Sequence, residues 1–178
     1  MSDHADDATS QPDWDHPETL TDEERAFIEV MRERFRSQPL HALLGLDLPQ
    51  ERDGKLVVEM PVRNEAFGTT GNLHGGALAT LIDVASASAA ARSSSFVPGE
   101  NTLVTADLHV RYLGRPKTDT VRAEAEVVHA GRTLVVVECE VLDGEDRIIA
   151  KGDFSGMVVS LRKPLLPDAQ PDPNSPEL

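Results

Sequence analysis

The chain has 178 residues, a formal charge of −14 and one cysteine, Cys139. That length supports one domain with a sizeable core, and a lone cysteine excludes an internal disulfide. The acidity argues against nucleic acid as a partner, and no apolar run approaches the roughly 20 residues that would span a membrane. Much of the charge sits at the ends. Residues 1–24 hold nine acids and residues 164–178 hold three, with no Lys or Arg in either stretch, so the middle is close to neutral. The acidic, polar start lacks the basic-then-apolar order of a secretion signal, which predicts a cytoplasmic protein.

In chain order, residues 1–20 read as a disordered acidic leader. Thr21-Asp22-Glu23-Glu24 is a capping box that opens a helix within 21–38, with Phe27, Val30, Met31 and Phe35 on one stripe. Pro39 ends it and starts a short helical turn, Leu40 to Leu44, stopped by Gly45. Strands are expected over 46–52 and 55–62, either side of the hairpin pair Asp53-Gly54, with Leu56, Val58, Met60 and Val62 on one face. After a loop at 63–73, a helix from Gly75 to about Ser93 is apolar nearly all round, which predicts burial. Its many Ala and Ser residues would let a sheet come close.

Four more strands are expected after this helix. Residues 102–113 set Val104, Ala106, Leu108, Val110 and Tyr112 against Thr105, Asp107, His109 and Arg111. Residues 119–129 and 132–142 alternate likewise, and 146–161 place Ile148, Ala150, Gly152, Phe154 and Gly156 together. From residue 164 the chain is proline-rich and patternless, a disordered tail. The sum is an α+β domain over 39–163: an antiparallel sheet of about six strands, the last four a meander, wrapped on one long helix, with an extra N-terminal helix. One helix cannot cover both faces of such a sheet, so a partner subunit is expected.

The chemistry concentrates where a glycine-bearing loop runs into the apolar helix: Gly71-Asn72-Leu73-His74-Gly75-Gly76, with Asp83 two turns in. Backbone N–H groups at a helix start are unpaired and sit at the positive end of the dipole, so they suit an anion or a developing oxyanion. Glycine lets a carbonyl approach them. A carboxylate on an apolar helix is costly unless it is paired or used. Gly75 and Asp83 are eight residues apart, about 12 Å of helical rise, so one helix cannot aim both at the same atom. Two antiparallel copies across a two-fold axis can, which predicts a homodimer or homotetramer with shared sites.

This order resembles the hotdog-fold acyl-CoA thioesterases, and within them the phenylacetate-pathway (4-hydroxybenzoyl-CoA thioesterase II-like) branch. Gly71, His74, Gly75, Gly76, Leu81, Asp83 and the strand Asp107-Leu108-x-Val110-x-Tyr112 carry the likeness over about residues 40–160. The resemblance implies hydrolysis of an acyl-CoA substrate without a cofactor. Gly75 N–H would hold the thioester carbonyl, and Asp83 of the other subunit would attack or activate water. A Ser or Thr on the third strand often lies near that carboxylate, and Thr105 matches. The chain departs at Gly68, where many relatives place Asn; Asn72 is nearby but off register.

Plainer readings stand beside these. His74 and Gly76 are expected to contact substrate, but a neutral histidine capping the loop explains His74 equally well. Thr105 reads by default as an ordinary sheet threonine. Cys139 reads as core. Arg132, Arg115 and Lys117 flank turns and suit either the phosphates of coenzyme A or ordinary surface pairing; Arg132 is retained as a substrate contact. The histidines show no metal-ligand spacing, and no Gly-x-Ser-x-Gly elbow is present. The alternative function is an acyl-CoA-binding hotdog module without turnover.

Overall fold

The computed structural model describes residues 21–93 and 101–160; the expected leader and tail lie outside the described residues. Two helices, α1 (Asp22–Arg36) and α2 (Pro39–Leu44), precede strands β1 (Gln50–Arg52) and β2 (Lys55–Pro61). The long helix α3 (Gly75–Ala91) comes next, then β3 (Asn101–Tyr112), β4 (Thr120–Ala130), β5 (Leu134–Asp143) and β6 (Ile148–Ser160). The strands form one antiparallel sheet in the order β1-β2-β4-β5-β6-β3.

The expected four-strand meander is corrected to three. β4, β5 and β6 are sequential neighbours, but β3 lies at the far edge beside β6, and β2 takes the place next to β4. Helix α3 carries the chain from one side of the sheet to the other. The connection 113–119 returns it across the strand ends, held by Leu113 N–H on Ile149 C=O, by Lys117 N–H on the Asp143 carboxylate and by Asp119 C=O on Val62 N–H.

Local physics explains the other departures. The strand expected from Leu46 starts only at Gln50. Leu46 N–H bonds to His41 C=O behind the left-handed Gly45, Leu48 N–H bonds to the Asp47 side chain, and Pro49 has no N–H. Such a segment has little to offer a ladder. On α1, Val30 is 65% exposed, and the buried position is Ile28, with Phe35 half-buried seven residues on. Of the expected stripe, Phe35 packs against the core while Val30 and Met31 lie exposed; the Phe27 and Glu24 side chains lie outside the described residues. On β6, Ile149 is buried and Ile148 is 40% exposed, because the register shifts between Val141 and Leu142.

The core is the face of α3 carrying Leu78, Leu81, Ile82, Ala85 and Ala89, set against Val58, Met60, Val121, Val135, Val137, Val141 and Phe154. The small residues are needed. A Cβ at Gly152 would collide with Ile82 Cγ2, and one at Gly156 would come within 3.0 Å of Leu103 Cδ1. Cys139 is core: burial pushes its thiol up to about 12, so it stays protonated and inert. The full burial expected for α3 holds on one side only. Ala79, Thr80, Asp83, Val84, Ala87, Ser88 and Ala91 remain half-buried in the single chain.

A β-bulge in β3 decides which side chains face the helix. The β3–β6 register shifts between Thr105 and Asp107, leaving Ala106 as the extra residue. Leu103 and Thr105 before the bulge, and Leu108, Val110 and Tyr112 after it, therefore share the face toward α3. Val104, expected inward, is 43% exposed.

Asp143 anchors the β5–β6 turn and makes a test of stability. It is fully buried. Burial alone would raise its carboxyl, but the N–H groups of Lys117, Arg147 and Glu145 and the Arg147 guanidinium outweigh it, leaving it at about 2 against an ordinary 3.8. The folded value is depressed, so the contribution is present above about pH 4 and fades as the pH falls toward 2. Asp143→Asn should lower Tm by more than about 5 °C at pH 7, and thermal melts taken between pH 5 and 2 should show a shallower acid loss in the variant. Equal Tm values at pH 7 would refute the assignment.

Candidate active site

The loop before α3 is built to leave one donor over. His74 is the N-cap, with extended backbone (φ −64°, ψ 137°). Its own N–H bonds to Ala66 C=O at 2.7 Å, and its C=O accepts from Ala77 and Leu78 N–H. Its Nδ1 accepts from Gly76 N–H at 2.8 Å. A neutral ring that accepts at Nδ1 carries its proton on Nε2. Within the first turn, only Gly75 N–H then lacks a partner among the described residues, and it sits at the positive end of the helix.

A side chain would be felt at both glycines, more severely at Gly76. A Cβ on Gly76 would stand 2.9 Å from His74 Nδ1, breaking the cap. A Cβ on Gly75 would stand 3.2 Å from Tyr112 Cζ. Tyr112 reaches in from the end of β3 and donates its hydroxyl to Gly75 C=O at 3.0 Å. Sequence reasoning noted Tyr112 only as part of the strand motif. Its signal was its place in the apolar alternation at the end of β3, with Leu108 and Val110; the contact with Gly75 itself is tertiary.

Asp83 projects from the half-buried side of α3, and Thr105 Oγ1 donates to its Oδ1 at 2.9 Å. The bulge at Ala106 is what turns the threonine toward the helix. The structure thus joins Asp83 to Thr105, and Gly75 to His74 and Tyr112, but the two groups lie at different levels of α3.

The remaining expected positions stand apart from both groups or only support them. Asn72 commits its amide N–H groups to Thr70, at 3.0 Å to the C=O and 3.3 Å to Oγ1. Gly68 donates its N–H to Asn72 C=O at 2.8 Å, and a Cβ there would stand 3.3 Å from His74 Cδ2. Arg132 is exposed at the β4–β5 turn. It is separated from the β3–β4 connection by the eleven residues of β4, about 36 Å. Among the described residues, no group of three or more His, Cys, Asp or Glu side chains is arranged to hold a metal ion. No described helix is long and apolar enough to cross a membrane.

A six-stranded antiparallel sheet curled on one long helix, with an orphan N–H at the helix start and a carboxylate further along it, is the hotdog architecture. Its solved likenesses include a Bacillus halodurans protein crystallised with CoA, 27% identical, with a TM-score of 0.64 over 81% of this chain and 98% of that one. Residues 70–150 match the family model described as Thioesterase superfamily. ComA2 of Bacillus subtilis, a protein provisionally named an esterase, is 30% identical over 60% of this chain and 82% of its own length. Human acyl-coenzyme A thioesterase 13 is 27% identical over 75% of this chain and 94% of its own. The chain belongs to the thioesterase superfamily and is, by class, a thioester hydrolase.

Proposed function

We propose that the protein hydrolyses acyl-CoA thioesters, with the Gly75 N–H as oxyanion donor and Asp83 as the carboxylate that activates water or attacks the carbonyl. The observation that carries this reading is the single unspent donor at the start of α3. Either Asp83 takes a proton from the water that adds to the carbonyl carbon, or Asp83 itself adds and forms a mixed anhydride that water then hydrolyses. In both routes the oxygen gains charge against Gly75 N–H, and collapse breaks the C–S bond and releases the thiolate of coenzyme A, with the free acid as the other product. A fixed donor aimed at that oxygen acts more strongly in the transition state than in the ground state. Thr105 would orient Asp83, His74 would shape the donor loop by capping it, and Tyr112 would hold the first turn. The solved relative crystallised with CoA and the human acyl-CoA thioesterase support the choice of carrier. Membership of the phenylacetate-pathway branch remains part of the proposal, and a hydrolysis panel of short, long and aromatic acyl-CoAs tests it.

Shared sites belong to the same reading. Gly75 and Asp83 cannot converge within one helix. The twelve-residue β3 is an open sheet edge, and the neighbouring side of α3 is only half covered. Light scattering should show a dimer or a dimer of dimers. Mixing Asp83→Asn subunits with Gly75→Pro subunits, each nearly inactive alone, should recover about a quarter of wild-type turnover, because half the dimers then hold one intact site. Mixtures no more active than either parent after subunit exchange would sink the shared site. The second reading, a binding module without turnover, is favoured by Gly68 alone, since no amide stands where many relatives place one.

A further inference from the structure

The outer face of the sheet, turned away from α3, carries an apolar corner that no described element covers. Strand alternation puts Val104, Met157 and Leu134 on that face, because their neighbours Thr105, Gly156 and Val135 face the helix. The three form one cross-strand row, Val104 opposite Met157 and Met157 opposite Leu134, and each is between 41% and 43% exposed. Val159 and Val136, half-buried, flank the row on the same face. Toward the start of β6 the outer face turns charged, with His109, Asp153, Glu138 and Glu126 in a single row. The apolar row is therefore confined to the end of the sheet where β6 finishes. Arg132, two residues before Leu134, stands exposed at its rim and has no ion-pair partner among the described residues.

The chain itself supplies a match for this corner. β6 ends at Ser160, three residues after Met157 and about 10 Å further along the strand. Beyond it the sequence reads Leu161-Arg162-Lys163-Pro164-Leu165-Leu166-Pro167-Asp168. Leu165 is five residues past Ser160, a reach of at most about 18 Å, enough to turn back over Met157. Leu165 and Leu166 are an apolar pair between two prolines, followed by an acid, and residues 164–178 hold three acids and no Lys or Arg. An apolar row with a free cation at its rim fits that order. Each proline has its φ fixed in advance, so ordering the segment loses less entropy. A second copy of the chain is the competing occupant. A segment on so short a link has an effective concentration of order millimolar, against which a copy at micromolar concentration competes poorly.

We propose that residues 164–168 fold back on the outer face of the sheet, laying Leu165 and Leu166 on Val104, Met157 and Leu134 and bringing the Asp168 carboxylate to the Arg132 guanidinium. The segment acts as a strap. It covers an apolar row that would otherwise offer itself to other copies of the chain, and it leaves the β3 edge and the free side of α3 as the surface for assembly. Arg132, expected as a substrate contact, serves the strap in this arrangement. The strap lies across the sheet from Gly75 and Asp83, so it stands apart from the thioesterase reading and needs none of it.

The test is made on the full chain by backbone NMR relaxation, dye binding and analytical ultracentrifugation. In wild type the amides of Leu165, Leu166 and Asp168 should give order parameters close to the rigid value of about 0.85, and in Leu165→Ser/Leu166→Ser that of Asp168 should fall below about 0.6. The same variant should bind an apolar-surface dye several-fold more strongly and gain mass as its concentration rises, because the row is uncovered. Leu134→Ser/Met157→Ser removes the surface instead of the strap. It should free the Asp168 amide equally without the rise in dye binding; if it misfolds, the tail variant decides. Order parameters below about 0.6 for the three amides in wild type would overturn the proposal. So would a strap that stays ordered when Leu165 and Leu166 are replaced. Mobile wild-type amides combined with a concentration-dependent mass that Leu134→Ser/Met157→Ser abolishes would assign the row to a second copy.

Discussion

Asp83→Asn should lower turnover of the best acyl-CoA substrate by at least ~10²–10⁴-fold, the usual cost of losing a general base or nucleophile. The substitution keeps the shape of the side chain, and Asn Oδ1 can still accept from Thr105 Oγ1, which now donates at 2.9 Å. The half-buried position leaves the core untouched. Folding, assembly and coenzyme A affinity should therefore stay near wild type while kcat falls. Hydrolysis within a few-fold of wild type would show that Asp83 does not do the chemistry. The pairing with Thr105 gives a second reading of the same site. Thr105→Val removes the hydroxyl at nearly constant shape, and if Thr105 only orients the carboxylate its effect should nearly vanish in the Asp83→Asn background.

Much of the fold was legible because the local signals agreed. Asp53-Gly54 forms its tight turn with both residues at positive φ, 52° and 75°. Gly45 stops α2 in the left-handed region, and α3 starts at the glycine immediately after His74. The misread faces of β3 and β6 share one cause: period-two alternation carries no information about where a bulge falls. With Ala106 counted as an ordinary strand residue, Thr105 sits on the polar face beside Asp107; with it as a bulge, the same residue faces α3 and meets Asp83. Ile148 and Ile149 exchange places for the same reason. The position of β3 at the far edge was hidden as well, because strand order is set by how α3 and the 113–119 connection cross the sheet, and neither crossing has a sequence period. The donor end of the site was readable as a motif, since capping chemistry is local. The Asp83–Thr105 pair and the contact of Tyr112 with Gly75 bring together residues 22 and 37 positions apart, which only the tertiary fold can do.

Gly75→Pro should cost ~10²–10³-fold in turnover, the usual effect of deleting one oxyanion donor. The backbone can accept the change. Gly75 is the first residue of α3, where proline is tolerated because its N–H has no helical acceptor. His74 before it already has the extended conformation that a succeeding proline demands. The added ring brings one steric demand, a Cβ 3.2 Å from Tyr112 Cζ, and Tyr112 is exposed enough to move by the few tenths of an ångström required. Gly75→Ala separates the two effects, since it imposes the same Cβ contact and keeps the N–H. In the oxyanion reading alanine retains most of the turnover and proline loses it, while both bind a non-hydrolysable thioether analogue of the substrate with similar affinity. Parallel losses in alanine and proline would place the importance of Gly75 in its contact with Tyr112 instead of in its N–H. Parallel losses of analogue affinity, together with negligible wild-type turnover across the acyl-CoA panel, would favour the binding module.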